Sequence, residues 1–320
     1  MISRRDLLSL AAMAPFASAA SAATDWPRRP IRIILPSAAG GTSDILARHI
    51  AEPLGQLLGQ PIVIEAKAGA GGAIASQYVA QQPADGYTLL THHNGFVTTP
   101  LMRSSAGYKL SDFTAVSMQG TAPLILVTHP SMPATLDAFI AHARANPGKL
   151  EWATASLGGI GHLAVELFND AAGIKDMVQV AFPGNAPATQ ALLAGHVKYM
   201  MTTPAASTAA LVRDGRLRVL GVSSSARSSM LPEIPAIAET LPGYEADVWF
   251  GLVARAGTPE PVLKKLNEAF TTVLSRPEIV AKYGGANVTA QGGSKAMADV
   301  LQRDHAMWSR VIKEKNLRLD

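Results

Sequence analysis

The sequence predicts an α/β protein made of two similar lobes that face one another across a cleft. Short runs of β-branched residues alternate with segments of helical periodicity, and turns of small residues, rich in glycine, join them. The same alternation begins again after residue 123. A chain of 320 residues with 48% hydrophobic content has enough apolar material for two lobes.

Residues 1–22 have the composition of a cleavable export signal. Arg4 and Arg5 precede a mostly apolar, alanine-rich stretch that ends in small residues at 20–22. This stretch is too short and too weakly apolar to anchor the chain in a membrane. The arginine pair fits either Tat or Sec export. We expect the mature chain to begin near Ala23 and to be located in the periplasm.

The composition argues against several classes of protein. Only 16% of residues are charged, the net charge is +4, and the basic residues are scattered rather than clustered beside aromatic residues. A nucleic-acid-binding face needs such a cluster. The chain has no cysteine, so neither a disulfide nor a lipid attached to an N-terminal cysteine is expected. We expect a monomer that binds no nucleic acid.

The first strand, turn and helix predict an anion site. Residues 31–35 form an apolar β-branched run that Pro36 ends, and the helix that follows is expected to be capped by Thr42 or Ser43. The first N–H groups of a helix lack internal partners, and the helix dipole is positive there. The residues predicted to hold the anion are Ser37, Ala38, Ala39, Gly40, Gly41, Thr42 and Ser43.

Asp44 lies in the first turn of this helix and has two interpretations. A carboxylate at this position suits the helix dipole, so capping alone explains it. The functional alternative is an acceptor for a ligand's hydroxyl, amine or amide hydrogen.

The rest of the first lobe is predicted to repeat this pattern. A strand at 61–65 leads into the glycine turn 68–72 and a helix, and a third strand at 87–90 leads into the polar stretch 91–95. This stretch is a candidate binding loop, from which Asn94 is predicted to contact ligand. His92 and His93 are adjacent, so in extended chain their rings should point to opposite sides, which disfavours a metal site made by both. The alternative is that one ring faces a ligand from the loop and the other points outward.

The second half of the chain restarts the alternation. Glycine turns at 155–161 and 183–185 each follow a predicted strand and precede a predicted helix. His162 opens the first of these helices, where packing and ligand contact are both open interpretations. Crossings near Ala122 and Gly251 divide the chain into one lobe of residues 23–122 and 252–320 and another of residues 123–251. Further strands are expected at 123–128, 150–153, 177–182, 197–201, 217–222 and 249–253, and late helices near 262–274 and 297–312.

Nucleotide and hydrolase motifs are incomplete. Ile74 occupies the third glycine position of a G-x-G-x-x-G fingerprint, and Leu150 follows the Gly148-Lys149 pair where a P-loop needs Ser or Thr. There is no G-x-S-x-G elbow. We therefore expect no cofactor and no metal.

An ordered set of short motifs resembles the solute-binding receptors of tripartite tricarboxylate transporters, also called Bug proteins. The resemblance covers essentially the whole mature chain. The motifs are Pro30-Ile31-Arg32-Ile33-Ile34-Leu35-Pro36, Gly40-Gly41 with Asp44, Gly59-Gln60-Pro61, Gly69-Ala70-Gly71-Gly72, Asp85-Gly86-Tyr87-Thr88-Leu89-Leu90, Pro147-Gly148-Lys149-Leu150, His162-Leu163-Ala164, Leu241-Pro242-Gly243-Tyr244, Trp249-Phe250-Gly251-Leu252 and Ala256-Gly257-Thr258-Pro259.

The resemblance implies a type II periplasmic-binding-protein fold that closes on a small carboxylate and carries out no chemistry. It implies that the first turn holds a ligand carboxylate through backbone amides and bridging waters. The implied partners are the large and small membrane subunits of the transporter. From the second lobe, the expected ligand contacts are Ser156, Gly158, Gly159, His162, Gly184, Asn185 and Thr202.

Three departures from the family pattern affect the ligand. Ser37 stands where relatives usually carry an aromatic residue, and Pro183 replaces a lysine that many members have. Thr202 and Thr203 stand where an Asp often follows the strand. Two other functions stay open: a periplasmic sensor that uses the same cleft, and an exported enzyme with His162 and Asp44 as acid and base.

Overall fold

A computed structural model describes residues 26–229 and 231–319; the predicted export signal lies outside them. The strands are β1 (Ile31–Leu35), β2 (Ile62–Ala66), β3 (Thr88–His93), β4 (Phe113–Ala122), β5 (Ile125–Thr128), β6 (Glu151–Thr154), β7 (Val178–Ala181), β8 (Tyr199–Thr202), β9 (Arg218–Val222), β10 (Val248–Arg255) and β11 (Thr289–Ala290). The helices are α1 (Thr42–Leu58), α2 (Ala73–Ala80), α3 (Gly95–Met102), α4 (Leu136–Arg144), α5 (Ile160–Ala171), α6 (Asn185–Leu193), α7 (Ala206–Arg213), α8 (Ile237–Thr240), α9 (Glu260–Leu274), α10 (Pro277–Gly285) and α11 (Ser294–Glu314).

The first lobe is built on a six-stranded sheet of order β11-β4-β10-β3-β1-β2. Strand β1 is parallel to both β2 and β3, while β10 is antiparallel to β3 and β4. Because β1, β2 and β3 run in the same direction, the turns that follow them emerge at one edge of the sheet, where ligands bind in α/β folds.

The second lobe is built on a five-stranded sheet of order β7-β6-β8-β5-β9. Strand β6 is parallel to β7 and β8, and β5 is antiparallel to β8 and β9. The turns after β6, β7 and β8 therefore also share one edge. The predicted fold class, two α/β lobes, is confirmed.

Helix α1 shows how the sequence produces these elements. Its apolar residues recur with helical spacing, and Leu46, Ile50, Leu54 and Leu58 are buried against the sheet. The helix ends at Gly59, which has a left-handed conformation (φ 74°) and whose N–H donates to the carbonyl of Gly55.

The two chain crossings between the lobes are bonded to one another. After β4, Leu124 exchanges hydrogen bonds with Ser223, which follows β9: Leu124 N–H donates to Ser223 Oγ (2.8 Å) and Ser223 N–H to the Leu124 carbonyl (2.9 Å). The Ser223 hydroxyl in turn donates to Asp247 just before β10 (2.7 Å). Residues 248–251 pair within the six-stranded sheet, so the boundary expected at residue 251 falls inside β10.

Several elements differ from the sequence-based prediction. The stretch predicted as a loop at 91–93 is the end of β3, and the ten-residue strand β4 was not predicted. Helices α3, α7, α8 and α10 and strand β11 were not predicted either. Polar residues at the end of β3 and in β4 interrupt the apolar pattern that predicts a buried strand. They are buried because they bond to one another: the Thr91 hydroxyl donates to Gln119 at 2.7 Å.

Within the described residues, no helix has the length and apolar character that crossing a membrane requires.

Candidate functional site

The first-lobe turn joins β1 to α1 through residues 36–41. Gly41 is the residue that precedes the helix, and no side chain caps it. The expectation that Thr42 or Ser43 caps the helix was wrong, because both are already helical. Within the described chain, no acceptor receives the N–H groups of these two residues, so they are available to an anion.

Asp44 holds this turn in shape. Its Oδ2 accepts a hydrogen bond from the N–H of Gly40 (2.9 Å), and its Oδ1 accepts one from Arg48 Nε (2.8 Å). The hydrogen bond from Arg48 lowers the pKa of Asp44, so the buried carboxylate is ionised. Both oxygens are engaged within the turn, which is the arrangement of a structural carboxylate.

Gly40 needs the conformation that Asp44 stabilises. Its φ is +87°, a region that residues with a side chain rarely adopt, and a Cβ there would meet no atom within 4 Å. The constraint on this position is therefore the backbone conformation and not the available space.

The second-lobe turn between β6 and α5 is held by His162. The N–H of Gly158 donates to His162 Nδ1 at 2.9 Å. Within the described chain, the N–H groups of Ile160, Gly161 and His162 have no acceptor. The first turn of α5 therefore presents free donors at its N-terminus.

His162 is neutral at pH 7. Its side chain is 2% exposed, and burial lowers its pKa to about 4. Because Nδ1 accepts a hydrogen bond, the neutral ring carries its proton on Nε2. That atom has no hydrogen-bond partner in the part of the chain that the structure describes, and the Glu166 carboxylate lies 3.9 Å away.

A cavity of about 330 Å³, here called the second-lobe cavity, forms where the turns of this lobe meet. The turn after β7 is tied to the turn after β6, since Gly184 N–H donates to the Ala155 carbonyl (3.0 Å). Like α5, helix α6 begins at the cavity, with the N–H of Asn185 free of an acceptor within the described chain. The predicted residues that line the cavity are Ser156, Gly159, His162, Gly184, Asn185 and Thr202.

Charged side chains do not line the second-lobe cavity. Among the described residues, no Lys, Arg, Asp or Glu contributes to its wall. An anion there would be held by backbone N–H groups, helix dipoles and hydroxyl groups. Pro183 replaces a lysine of the family pattern, and no cationic side chain of the described residues takes the place of that lysine in this wall.

A second cavity of about 270 Å³, here called the inter-lobe cavity, lies between the turn at 156–160 and the first-lobe helix α3. Gly158 faces this cavity rather than the second-lobe cavity. Its first-lobe wall includes His93, Thr98 and Arg103. Neither cavity is lined by residues 37–44, so the described arrangement does not bring the first-lobe turn into contact with the second-lobe turns in a common cavity.

Asn94 lines the inter-lobe cavity, but its amide bonds to residues around the crossing. Its Nδ2 donates to the Asp247 carbonyl (3.0 Å) and to Asp304 (3.3 Å), and its Oδ1 accepts from Trp249 N–H (3.3 Å). The indole N–H of Trp249 also donates to Asp304 at 2.7 Å. Asn94 therefore connects the end of β3 to β10 and α11.

The rings of His92 and His93 do not point to opposite sides, as expected from extended chain. Their centroids are 5.0 Å apart. Local hydrogen bonds hold both rings where β3 turns into α3: His92 Nδ1 accepts from His93 N–H (2.9 Å), and His93 Nδ1 accepts from Gly95 N–H (3.2 Å). Among the described residues, no group of three or more His, Asp or Glu side chains could hold a metal ion.

Sequence reasoning missed Thr98 and Arg103 as cavity residues. Arg103 directly follows α3, a helix whose sequence contains no charged residue. Because α3 itself was not predicted, nothing in the sequence singled out Arg103.

Comparisons with known proteins identify the family. Residues 46–317 match the family model of the tripartite tricarboxylate transporter family receptor. The protein BugT of Bordetella pertussis is 36% identical over 318 residues, covering 96% of this chain and 95% of BugT. A UPF0065 protein from the tcbD-tcbE intergenic region of Pseudomonas sp. strain P51 is 34% identical over 320 residues, covering 98% and 95% of the two chains.

Solved structures give the same result. R. palustris Rpa4515 with adipate is 34% identical, with a TM-score of 0.73 over 92% of this chain and 99% of that chain. MatC from Rhodopseudomonas palustris with bound malate is 29% identical, with a TM-score of 0.69 over 90% and 100%. A TctC solute-binding protein from Polaromonas without ligand is 27% identical, with a TM-score of 0.80 over 90% and 99%. The two-lobe architecture, the glycine turns and these matches together show that the chain belongs to the tripartite tricarboxylate transporter receptor family of solute-binding proteins.

Proposed function

We propose that this protein is a periplasmic receptor that binds a small carboxylate in the cleft and delivers it to the membrane subunits of a tripartite tricarboxylate-type transporter. The observation that carries the proposal is the second-lobe cavity: within residues 26–229 and 231–319, the first N–H groups of α5 and α6 have no acceptor and no acidic side chain lines the wall. The adipate of Rpa4515 and the malate of MatC support a carboxylate as the ligand.

The available donors are sufficient for useful affinity. A charge-assisted hydrogen bond contributes roughly 1.5–3 kcal/mol, and a micromolar complex corresponds to about 8 kcal/mol. Two or three such bonds, strengthened by the helix dipoles, reach this range without a cationic side chain. No covalent step is involved.

The first-lobe turn is the second half of this proposed site. It presents the N–H groups of Thr42 and Ser43, as the second-lobe turns present theirs. The lobes are joined by two crossings bonded at Ser223, and rotation about these crossings would bring the turns together over a ligand. Ser37, which is half-buried, would then form part of the wall.

Binding to purified protein tests the proposal. We expect one carboxylate to bind per chain in isothermal titration calorimetry, and a ligand at a hundred times its Kd to stabilise the fold by about 2.7 kcal/mol. If mono-, di- and aromatic carboxylates all fail to bind while an amine or a sugar binds, the proposal is wrong.

A substitution at Gly40 tests the first-lobe turn. Gly40→Val forces a β-branched residue into φ +87°, which should rearrange the turn and abolish binding while the protein stays folded. Gly215→Val is the matched control, because Gly215 also has a positive φ (+70°) with no atom within 4 Å of its Cβ position but follows α7 outside both cavities. Normal binding by Gly40→Val would exclude the turn from the site.

A further inference from the structure

We propose that the inter-lobe cavity is a second anion subsite, in which Arg103 and His93 receive the distal carboxylate of a ligand whose first carboxylate lies in the second-lobe cavity. The ligand class is then a dicarboxylate with separated acid groups. This inference rests on the proposed function and adds a specificity-determining pair to it.

Arg103 is a cation with no counterion among the described residues. The residue is half-buried at the end of α3, and its backbone N–H donates to Thr99. Among the described residues, its guanidinium has neither an ion pair nor a hydrogen bond. A guanidinium can donate several hydrogen bonds in a fork that matches a carboxylate, so this site lacks only an acceptor.

His93 supplies a second free donor. Its Nδ1 accepts from Gly95 N–H, so the neutral ring carries its proton on Nε2. That atom has no hydrogen-bond partner among the described residues, and the residue lines the same cavity as Arg103. Burial keeps this ring neutral at pH 7, since its pKa falls to about 4.

The rest of the cavity wall favours an anion. The wall includes the hydroxyl-bearing residues Thr98 and Ser156, and no Asp or Glu of the described ranges lines it. One other cation near the lobe boundary is already paired: Lys315 Nζ lies 2.7 Å from Asp170 and 3.4 Å from Glu166. Arg103 differs from Lys315 in lining a cavity to which the described residues contribute no carboxylate.

The two cavities share a wall. Ser156, Gly159 and Ile160 line both of them. A ligand anchored by one carboxylate at the start of α5 can pass along this wall and place its other carboxylate at Arg103. A monocarboxylate would occupy only the second-lobe cavity.

The test compares matched ligands and matched variants. Calorimetric titration of wild-type protein with dicarboxylates from succinate to suberate, and with the monocarboxylates of equal chain length, should show tighter binding of at least one dicarboxylate. Arg103→Gln should weaken that dicarboxylate about tenfold or more, the effect of one charge-assisted contact, and leave the matched monocarboxylate unchanged. His93→Asn retains an acceptor for Gly95 N–H and removes the Nε2–H donor of the ring. This variant should also weaken binding of that dicarboxylate and leave binding of the matched monocarboxylate unchanged.

Arg318→Gln is the charge control. Arg318 is an exposed arginine that lines a neighbouring surface cavity together with Arg103 but does not line the inter-lobe cavity. It removes the same charge and should leave both affinities unchanged. Equal losses in Arg103→Gln and Arg318→Gln would reduce the effect to net charge and overturn the subsite.

The remaining outcomes separate the two proposals. Wild-type protein that binds carboxylates without preferring any dicarboxylate overturns the subsite and leaves the receptor proposal standing. A loss of affinity in Arg103→Gln that is equal for mono- and dicarboxylates also overturns the subsite and leaves the receptor proposal standing. Wild-type protein that binds no carboxylate overturns the proposed function itself.

Discussion

Replacing His162 by Asn should remove much of the acid sensitivity of the fold. The imidazole accepts the N–H of Gly158 through Nδ1, and it can do so only when that nitrogen is unprotonated. Acid therefore breaks the bond that shapes the second-lobe turn. An asparagine offers its Oδ1 as acceptor and does not titrate.

The magnitude follows from the pKa of His162, which falls from 6.5 in a free side chain to about 4 in the fold. Because folding lowers the pKa, the unfolded chain binds more protons, so this contribution to stability is fully present above pH 6.5 and is lost as pH falls toward 4. Linkage gives a loss of about 2 kcal/mol at pH 5 and about 3 kcal/mol at pH 4.

Urea denaturation of wild-type and His162→Asn protein between pH 4 and 7.5 measures this loss. The variant should be less stable at pH 7, because Asn fills less of the buried site beside Trp152, and the difference should shrink by about 3 kcal/mol by pH 4. His92, His93 and Asp247 titrate in both proteins, so their effects cancel in the difference. A difference that is the same at pH 7 and pH 4 would refute the reasoning.

Two further substitutions test the packing around the site. Gly72→Ala should lower the free energy of unfolding by about 2–4 kcal/mol in urea denaturation, since the new Cβ lies 2.2 Å from Nε2 of buried His92 at a φ of +92°. Its control is Gly243→Ala, which has a φ of +86° but open space around the Cβ position and should lower it by only about 1 kcal/mol. Equal losses in the two variants would contradict the clash with His92. Asp304→Ala should lower the free energy of unfolding by about 3–5 kcal/mol in the same measurement, because the buried indole N–H of Trp249 loses the carboxylate that accepts its hydrogen bond. A loss below about 1 kcal/mol would contradict this role of Asp304.

The local parts of the fold could be predicted from the sequence because local physics specifies them. The strand of residues 31–35, the glycine turn and the helix were all evident from β-branched runs, φ-permissive residues and helical periodicity. Strand β4 was missed because buried Ser117 and Gln119 interrupt its apolar pattern. Gln119 accepts its hydrogen bond from Thr91 on β3, and the Ser117 hydroxyl donates to the carbonyl of the adjacent Met118. The partner of Gln119 lies on another segment of the chain, so no local window shows that this polar residue is buried.

The same distinction applies to the candidate site. The glycine turns could be found, because each is contained in a few consecutive residues. The role of Asn94 could not, since its amide bonds to Asp247, Trp249 and Asp304, more than 150 residues away in the chain. Arg103 was missed for the same reason. What makes it a candidate ligand contact is that no acceptor of the described residues lies beside its guanidinium, and these surroundings are defined only when the two lobes pack together.

The position of the Arg103 guanidinium in the first lobe affects how a ligand would close the cleft. In the proposed site the second-lobe cavity would bind through dipoles, since none of the described residues that line it is charged, whereas Arg103 belongs to the first lobe. If a dicarboxylate occupies both subsites, its two charges join the lobes, and its binding energy stabilises the closed arrangement directly. A monocarboxylate in the second-lobe cavity would make fewer contacts with the first lobe and would shift the equilibrium less, because a ligand moves a conformational equilibrium only by its difference in affinity for the two states. Selectivity for two-headed acids would then appear in closure as well as in affinity.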